Sequence, residues 1–161
     1  MIRQTFLSFA AILVLGSCES RSAVVAQETT GAAAAAEFGT LLQKGDYAGA
    51  IAFVNAAKLS AAEKDGVTGN LILDGLVDPR ATTKPPFPLA EGFTRLERAA
   101  AAGRKQSIAD LRAKFTTGLN FEGKNSIMPP NASLAGCWNE VASGSSKASA
   151  CIEMRKKLRV P

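Results

Sequence analysis

The sequence predicts an all-α protein: a short right-handed α/α repeat array of about three helical hairpins, preceded by a signal peptide and a flexible tether. Three observations predict it. From Glu37 onward, apolar residues recur at three- and four-residue spacing rather than in alternation, which is the periodicity of amphipathic helices. Punctuation also recurs: Gly103 and Gly144 stand 41 positions apart, and Pro85-Pro86 and Pro129-Pro130 stand 44 apart. Finally, Phe93, Leu96 and Ala100 precede Gly103 by ten, seven and three residues, and Leu134, Cys137 and Val141 precede Gly144 by the same offsets. A period near 40 with two helices per unit marks an α/α array, in which each hairpin buries its apolar face against its neighbour.

Arg3 precedes an uncharged apolar run from about Phe6 to Leu15. The run is too short to span a bilayer, which needs roughly 20 apolar residues, but it has the form of a secretory signal. The next residues, Leu15-Gly16-Ser17-Cys18, resemble the bacterial lipobox. That resemblance implies a signal peptide at 1–17, acylation of Cys18 as the first mature residue, and anchoring by several acyl chains, of which stable attachment needs more than one. Glu19 after the cysteine, rather than Asp, implies the outer membrane, with the protein facing the periplasm. Cleavage after Val24-Val25-Ala26 is the rival reading and would release a soluble periplasmic or secreted protein. Removal of 1–17 removes only Arg3 among charged residues, so the net charge falls from +5 to +4. So mild an excess argues for neither nucleic acid nor a basic membrane patch.

Residues 18–36 are small and polar, without a large apolar stripe, and read as a tether. About 18 residues of flexible chain reach roughly 25 Å. The alanine run at its end suits the first turns of a helix, alanine having the best helix propensity. The repeat domain is expected at 37–161. Phe38, Leu41 and Leu42 form its first stripe, and Gly45-Asp46 breaks and restarts the helix with Asp46 as N-cap. Tyr47, Ala50, Ile51 and Val54 follow on one face. Ser60 and Glu63 have capping-box spacing and open a helix expected to stop near Gly75. The stretch LVDPRATTKPPFP contains four prolines and cannot be helix interior. Helical pattern resumes over Leu89–Ala101, turns at Gly103, and continues through Ile108, Leu111 and Phe115 to Gly118. A second proline loop, NSIMPPN, leads into Leu134, Cys137 and Val141. The stripe Ala148, Cys151, Ile152, Arg155 closes the chain, and no strand is expected.

LERAAAAGRKQSIADLRAKFTTG resembles a SEL-like repeat, a short relative of the tetratricopeptide repeat. The small residues of that pattern fall at Ala99, Ala100 and Gly103, and its closing L-x3-[YF]-x2-G falls at Leu111, Phe115 and Gly118. Ser107 stands where the family usually has alanine. GDYAGAIAFVNAA similarly resembles the second helix of a tetratricopeptide unit. The resemblance covers residues 37–158 and is specific in the middle unit. It implies a protein-binding adaptor, regulator or inhibitor of the bacterial envelope.

Cys137 and Cys151 each lie seven residues from Gly144, close to two helical turns. On an antiparallel hairpin that spacing sets the side chains opposite each other, as a disulfide requires, and an exported protein meets the oxidising conditions in which disulfides persist. Closing the loop contributes about 3 kcal/mol in the chain-entropy model. Some SEL-like proteins staple their hairpins with closer cysteine spacing. The competing readings are a metal clip, a redox pair and two free buried thiols. The chain has no histidine and no second cysteine pair to complete a four-ligand metal site, and it lacks the CxxC spacing of redox centres.

The lack of histidine also excludes Ser-His and Cys-His pairings. No glycine cluster forms a phosphate-cradling loop, so neither metal nor cofactor is expected. Carboxylates such as Glu91 and Glu97 read as solvated faces. The basic end Arg155-Lys156-Lys157 reads as cations complementing a helix macrodipole, without the aromatic residues that stack on nucleic-acid bases. Phe87, Phe121 and Trp138 are the candidate partner-binding residues, since rings in or beside loops either pack inward or anchor an interface. The leading expectation is therefore a non-enzymatic, lipid-anchored protein that binds another envelope or secreted protein. The alternative is a cell-wall-binding or cell-wall-cleaving protein that uses a single carboxylate.

Overall fold

The structure, a computed structural model, describes residues 21–121 and 124–161, with backbone alone at 21–31, 121 and 124–125. The expected signal peptide and Cys18 lie outside these residues. The protein is mostly helical, as the periodicity requires. The described residues divide into two units, 21–43 and 44–161.

The described part of the first unit is helix α1 (Arg21–Gln43). Residues 21–36 are therefore helical where the composition predicted a flexible tether. Alanine favours the helix at each position of the run 32–36, and the helix extends back through the polar residues before it. No helix among the described residues is long and apolar enough to cross a membrane.

The second unit contains α2 (Tyr47–Ala56), α3 (Ala61–Val77), α4 (Leu89–Ala101), α5 (Lys105–Thr117), β1 (Leu119–Phe121), β2 (Lys124–Met128), α6 (Ala132–Ala142) and α7 (Ala148–Lys157). The start signals act as their chemistry predicts. Asp46 accepts from the Gly49 N–H at 2.9 Å, and Ser60 and Glu63 form the reciprocal capping box. Gly45, Gly103, Gly118 and Gly144 all have positive φ, a conformation that carries little steric cost only in glycine.

Helices α3 and α4 approach most closely because both offer glycine at the crossing. A Cβ on Gly69 would lie 2.8 Å from the Gly92 carbonyl oxygen, and one on Gly92 would lie 2.6 Å from Leu73 Cδ2. Gly69 and Gly92 thus serve helix packing. Further along, α4 packs on α5, α5 on α6 and α6 on α7, while α7 returns to α4. Four helices consequently form a closed ring, whereas an open array would separate the first helix from the fourth. Inside lie Phe93, Leu96, Leu111, Phe115, Leu134, Trp138 and Cys151, all fully buried. Phe93 and Phe115 stack with centroids 5.1 Å apart.

The sequence reading missed the hairpin. β1 and β2 pair antiparallel, with Leu119 opposite Met128, and both residues are buried in the core. Strands of three and five residues are too short to establish an alternating pattern. The positive φ of Gly118 ends α5 and redirects the chain into the first of them.

The first proline loop is ordered and fixed to the start of α2. Thr83 Oγ1 donates to Asp46 Oδ1 at 2.6 Å and accepts from the Ala48 N–H at 3.0 Å. The Thr82 N–H donates to the Gly45 carbonyl at 2.9 Å. Deeper in the loop, Asp78 is buried, accepts from the Tyr47 hydroxyl at 2.9 Å and takes two bonds from the Arg80 guanidinium, both 3.0 Å. Those Arg80 bonds hold the Asp78 carboxyl below its ordinary range. Burial first, and then the bond to Asp78, push the Tyr47 phenol well above its own.

Candidate binding surface

The two cysteines are joined. Cys137 on α6 and Cys151 on α7 form a disulfide with Cα atoms 5.6 Å apart. Both lie in the core, one on each side of the Gly144 turn, which is the pairing the seven-residue spacing predicts.

The three candidate aromatic residues do not converge on a surface. Trp138 is fully buried, so it cannot be offered to a partner, and its place is in the core with Phe93 and Leu134. Its position on α6 explains this: Leu134, Cys137 and Trp138 share the inward face of that helix. Its indole N–H has no acceptor among the described residues. Phe87 is half-buried beneath the Arg95 guanidinium, 5.1 Å from the ring centroid, within reach of a cation–π interaction. Arg95 is itself held by Glu91 at 2.8 Å and Asp65 at 3.4 Å. Phe87 therefore belongs to a network joining α3, α4 and the proline loop. The Phe121 backbone lies in β1, and its side chain is outside the described residues.

The carboxylates are likewise redistributed. Glu97 is buried, not solvated, and carries a bidentate ion pair with Arg155, also buried. Arg155 is consequently more than a cation at a helix end: it spans α7 and α4 and also donates to the Val160 carbonyl at 3.1 Å. Each carboxyl whose pKa departs from the ordinary value among the described residues is shifted downward. Hydrogen bonds cause this at Asp46 (from Thr83), at Glu63 (from Ser60) and at Asp78 (from Arg80), and the Lys156 bond does so at Glu153.

The helices do, however, leave an open groove of about 530 Å³ between α5 and α6. These helices run antiparallel, so the start of α5 adjoins the end of α6, and the turns at Gly103 and Gly144 border the groove together. Ile108 and Ala109 line it from α5, and Val141 and Ala142 from α6. Lys105 and Arg112 supply charge, and no carboxylate is among the lining residues. A Cβ on Gly103 or Gly144 would meet nothing within 4 Å, so both turns stand open. Arg112 leans across the groove, its guanidinium 3.3 Å from Asn139 Oδ1.

Sequence periodicity assigned Ile108 and Val141 to the core stripe. Both do pack against the core, but they are only half-buried, at the edge where the stripe emerges between two helices. The available signal was their nearness to the turn glycines: an apolar residue within five positions of an open turn lies near the end of the helix, where packing thins out.

No family model, curated protein or solved structure matches the chain.

Proposed function

We propose that this is a lipid-anchored bacterial envelope protein whose helical domain binds another protein, as an adaptor, regulator or inhibitor. The observation that carries the reading is the α5–α6 groove: apolar walls open to solvent, bordered by cations and built on helices that are packed and covalently stapled behind it. Contiguous apolar surface rimmed by polar groups is characteristic of interaction sites. The Cys137–Cys151 disulfide favours an exported protein, since such bonds persist in oxidising compartments. The lipobox-like Leu15–Cys18 supplies the anchor, with Cys18 acylated at the outer membrane and the domain in the periplasm.

The α4–α5 and α6–α7 hairpins are read as two diverged copies of one SEL-like unit that close on each other as a ring, with α2–α3 as a third and more degenerate hairpin. Supporting this are the equal offsets to Gly103 and Gly144, the positive φ at both, and the burial of Phe93 and Leu96 in one unit and of Leu134 and Cys137 in the other.

Two measurements test the proposal. Labelled palmitate incorporated into the wild-type protein and lost in Cys18→Ala is the expected result for the anchor; an unlabelled wild type would remove it. For binding, the tagged, natively acylated protein is drawn from oxidised membrane extract. A single stoichiometric protein is the expected companion. Retention on purified cell-wall material without a protein companion would overturn the reading in favour of a wall-binding protein.

A further inference from the structure

We infer that the α5–α6 groove receives an acidic, apolar segment of the partner protein, with carboxylates meeting Lys105 and Arg112 and an aliphatic side chain seated between Ile108 and Val141. The inference rests on the protein-binding reading and adds the chemistry of what is bound.

Charge supplies the first argument. The groove has two cations and no carboxylate of its own. Neither cation is consumed by an ion pair among the described residues, since Arg112 meets only the neutral Asn139 amide and Lys105 has no ionic partner. The N-terminal end of α5 offers no acidic residue in its first turn, and the end of α6 beside it brings carbonyl dipoles of opposite sign, so the positive charge of the groove rests on the Lys105 and Arg112 side chains.

Shape supplies the second. The volume is in the range of sites that hold small ligands, but the groove is half open to solvent and would leave one face of a small molecule in water. A segment of a larger partner covers that face with its own fold. The open turns at Gly103 and Gly144 leave the groove's end unobstructed for such a chain to pass. The walls are also fixed in advance, α6 by its disulfide to α7 and α5 by Leu111 and Phe115 in the core. A preformed site spends little of its binding energy on ordering itself.

The test introduces a photocrosslinking benzoylphenylalanine at Ala109 in the full-length, acylated and oxidised protein, with the same group at the exposed Ala52 on α2 as control. The expected result is crosslinking from Ala109 but not Ala52, to one protein, through a segment containing carboxylates beside aliphatic residues. A synthetic peptide of that segment then binds the full-length protein. Its affinity falls about tenfold or more with Lys105→Glu/Arg112→Glu, where like charges then face each other, and falls also when the peptide's carboxylates become amides and the attraction is lost. Both substituted sites are exposed, so the urea midpoint stays unchanged. A crosslinked segment that is basic or uncharged overturns the assignment of chemistry. Silence from Ala109 while the pull-down still retains a stoichiometric protein overturns the groove but leaves protein binding intact. Absence of a protein in both experiments overturns the two together.

Discussion

Arg155 and Glu97 lie 58 positions apart in the chain and meet as a two-pronged ion pair, Nε to Oε1 at 2.6 Å and Nη2 to Oε2 at 2.9 Å. The pair is what α7 and α4 share at the point where the helical ring closes, and the Arg155 guanidinium also lies 5.9 Å from the Phe93 ring centroid. Removing one partner strands a charge in the core, which destabilises a fold by about 3–5 kcal/mol. Glu97→Ala and Arg155→Ala should each lower stability by that order in urea unfolding. Glu97→Leu/Arg155→Met should recover most of the loss, because an apolar pair of similar size removes both desolvation penalties. Equal losses in the double and single variants would show that the charges themselves are required.

The disulfide should stabilise the fold by about 3 kcal/mol, the value expected for closing a loop of this length. Both sulfurs are in the core, so the bond should resist mild reductant in the folded protein and yield once urea opens it. Unfolding with and without reductant, with thiols counted across the transition, measures both properties. A reduced protein with an unchanged midpoint would show that the staple adds nothing beyond the packing around it.

Two glycine substitutions should act in opposite directions. Gly69→Ala places a methyl group against the Gly92 carbonyl, where neither backbone can yield without parting α3 from α4, so a loss of about 1–3 kcal/mol is expected. Gly136→Ala on the outer side of α6 meets nothing within 4 Å and should add about 0.5–1 kcal/mol through helix propensity alone. Thermal unfolding of the two variants beside wild type decides it, and a gain at Gly69 would mean that the crossing can open to admit a methyl group.

Stability should fall at both ends of the pH range. Asp78 and Glu63 are held below their unfolded values by hydrogen bonds from Arg80 and Ser60. Their contribution is complete above about pH 4, where the unfolded groups titrate, and is lost as the pH falls through the lower folded values. Tyr47 is raised, by burial before the Asp78 bond. Its contribution is complete below about pH 10, the unfolded phenol value, and is lost as the pH rises through the folded one. Urea midpoints measured across this range should show a flatter acid limb in Asp78→Asn and a flatter alkaline limb in Tyr47→Phe. Limbs identical to wild type would assign the pH dependence to other groups.

Much of the fold was legible because its signals are local. Helix α4 runs over the residues its stripe and flanking punctuation predict, Leu89–Ala101, and Ser60 with Glu63 announced a helix start through the spacing of two side chains. The disulfide could be placed because Cys137 and Cys151 flank one turn. What escaped was non-local or short. Glu97 looks like any helix-surface carboxylate until α7 brings Arg155 against it. The hairpin around Leu119 and Met128 depends on two brief segments finding each other. Trp138 stood beside a loop in the sequence, but the ring of helices turned its face inward. The groove escaped for the opposite reason: Ile108 and Val141 carry the same signal as core residues, and only the geometry of the helix ends leaves them open.

A helix at the margin of a fold is ordinarily among the first to open, because few contacts hold it. Here α7 is fastened twice, covalently to α6 through Cys151 and ionically to α4 through Arg155. Its amides should therefore exchange with deuterium in step with α4 and α6 as one cooperative unit, and a protease should find no early cut between Ala148 and Lys157. Helix α7 then behaves as a keystone, leaving only when the ring itself opens.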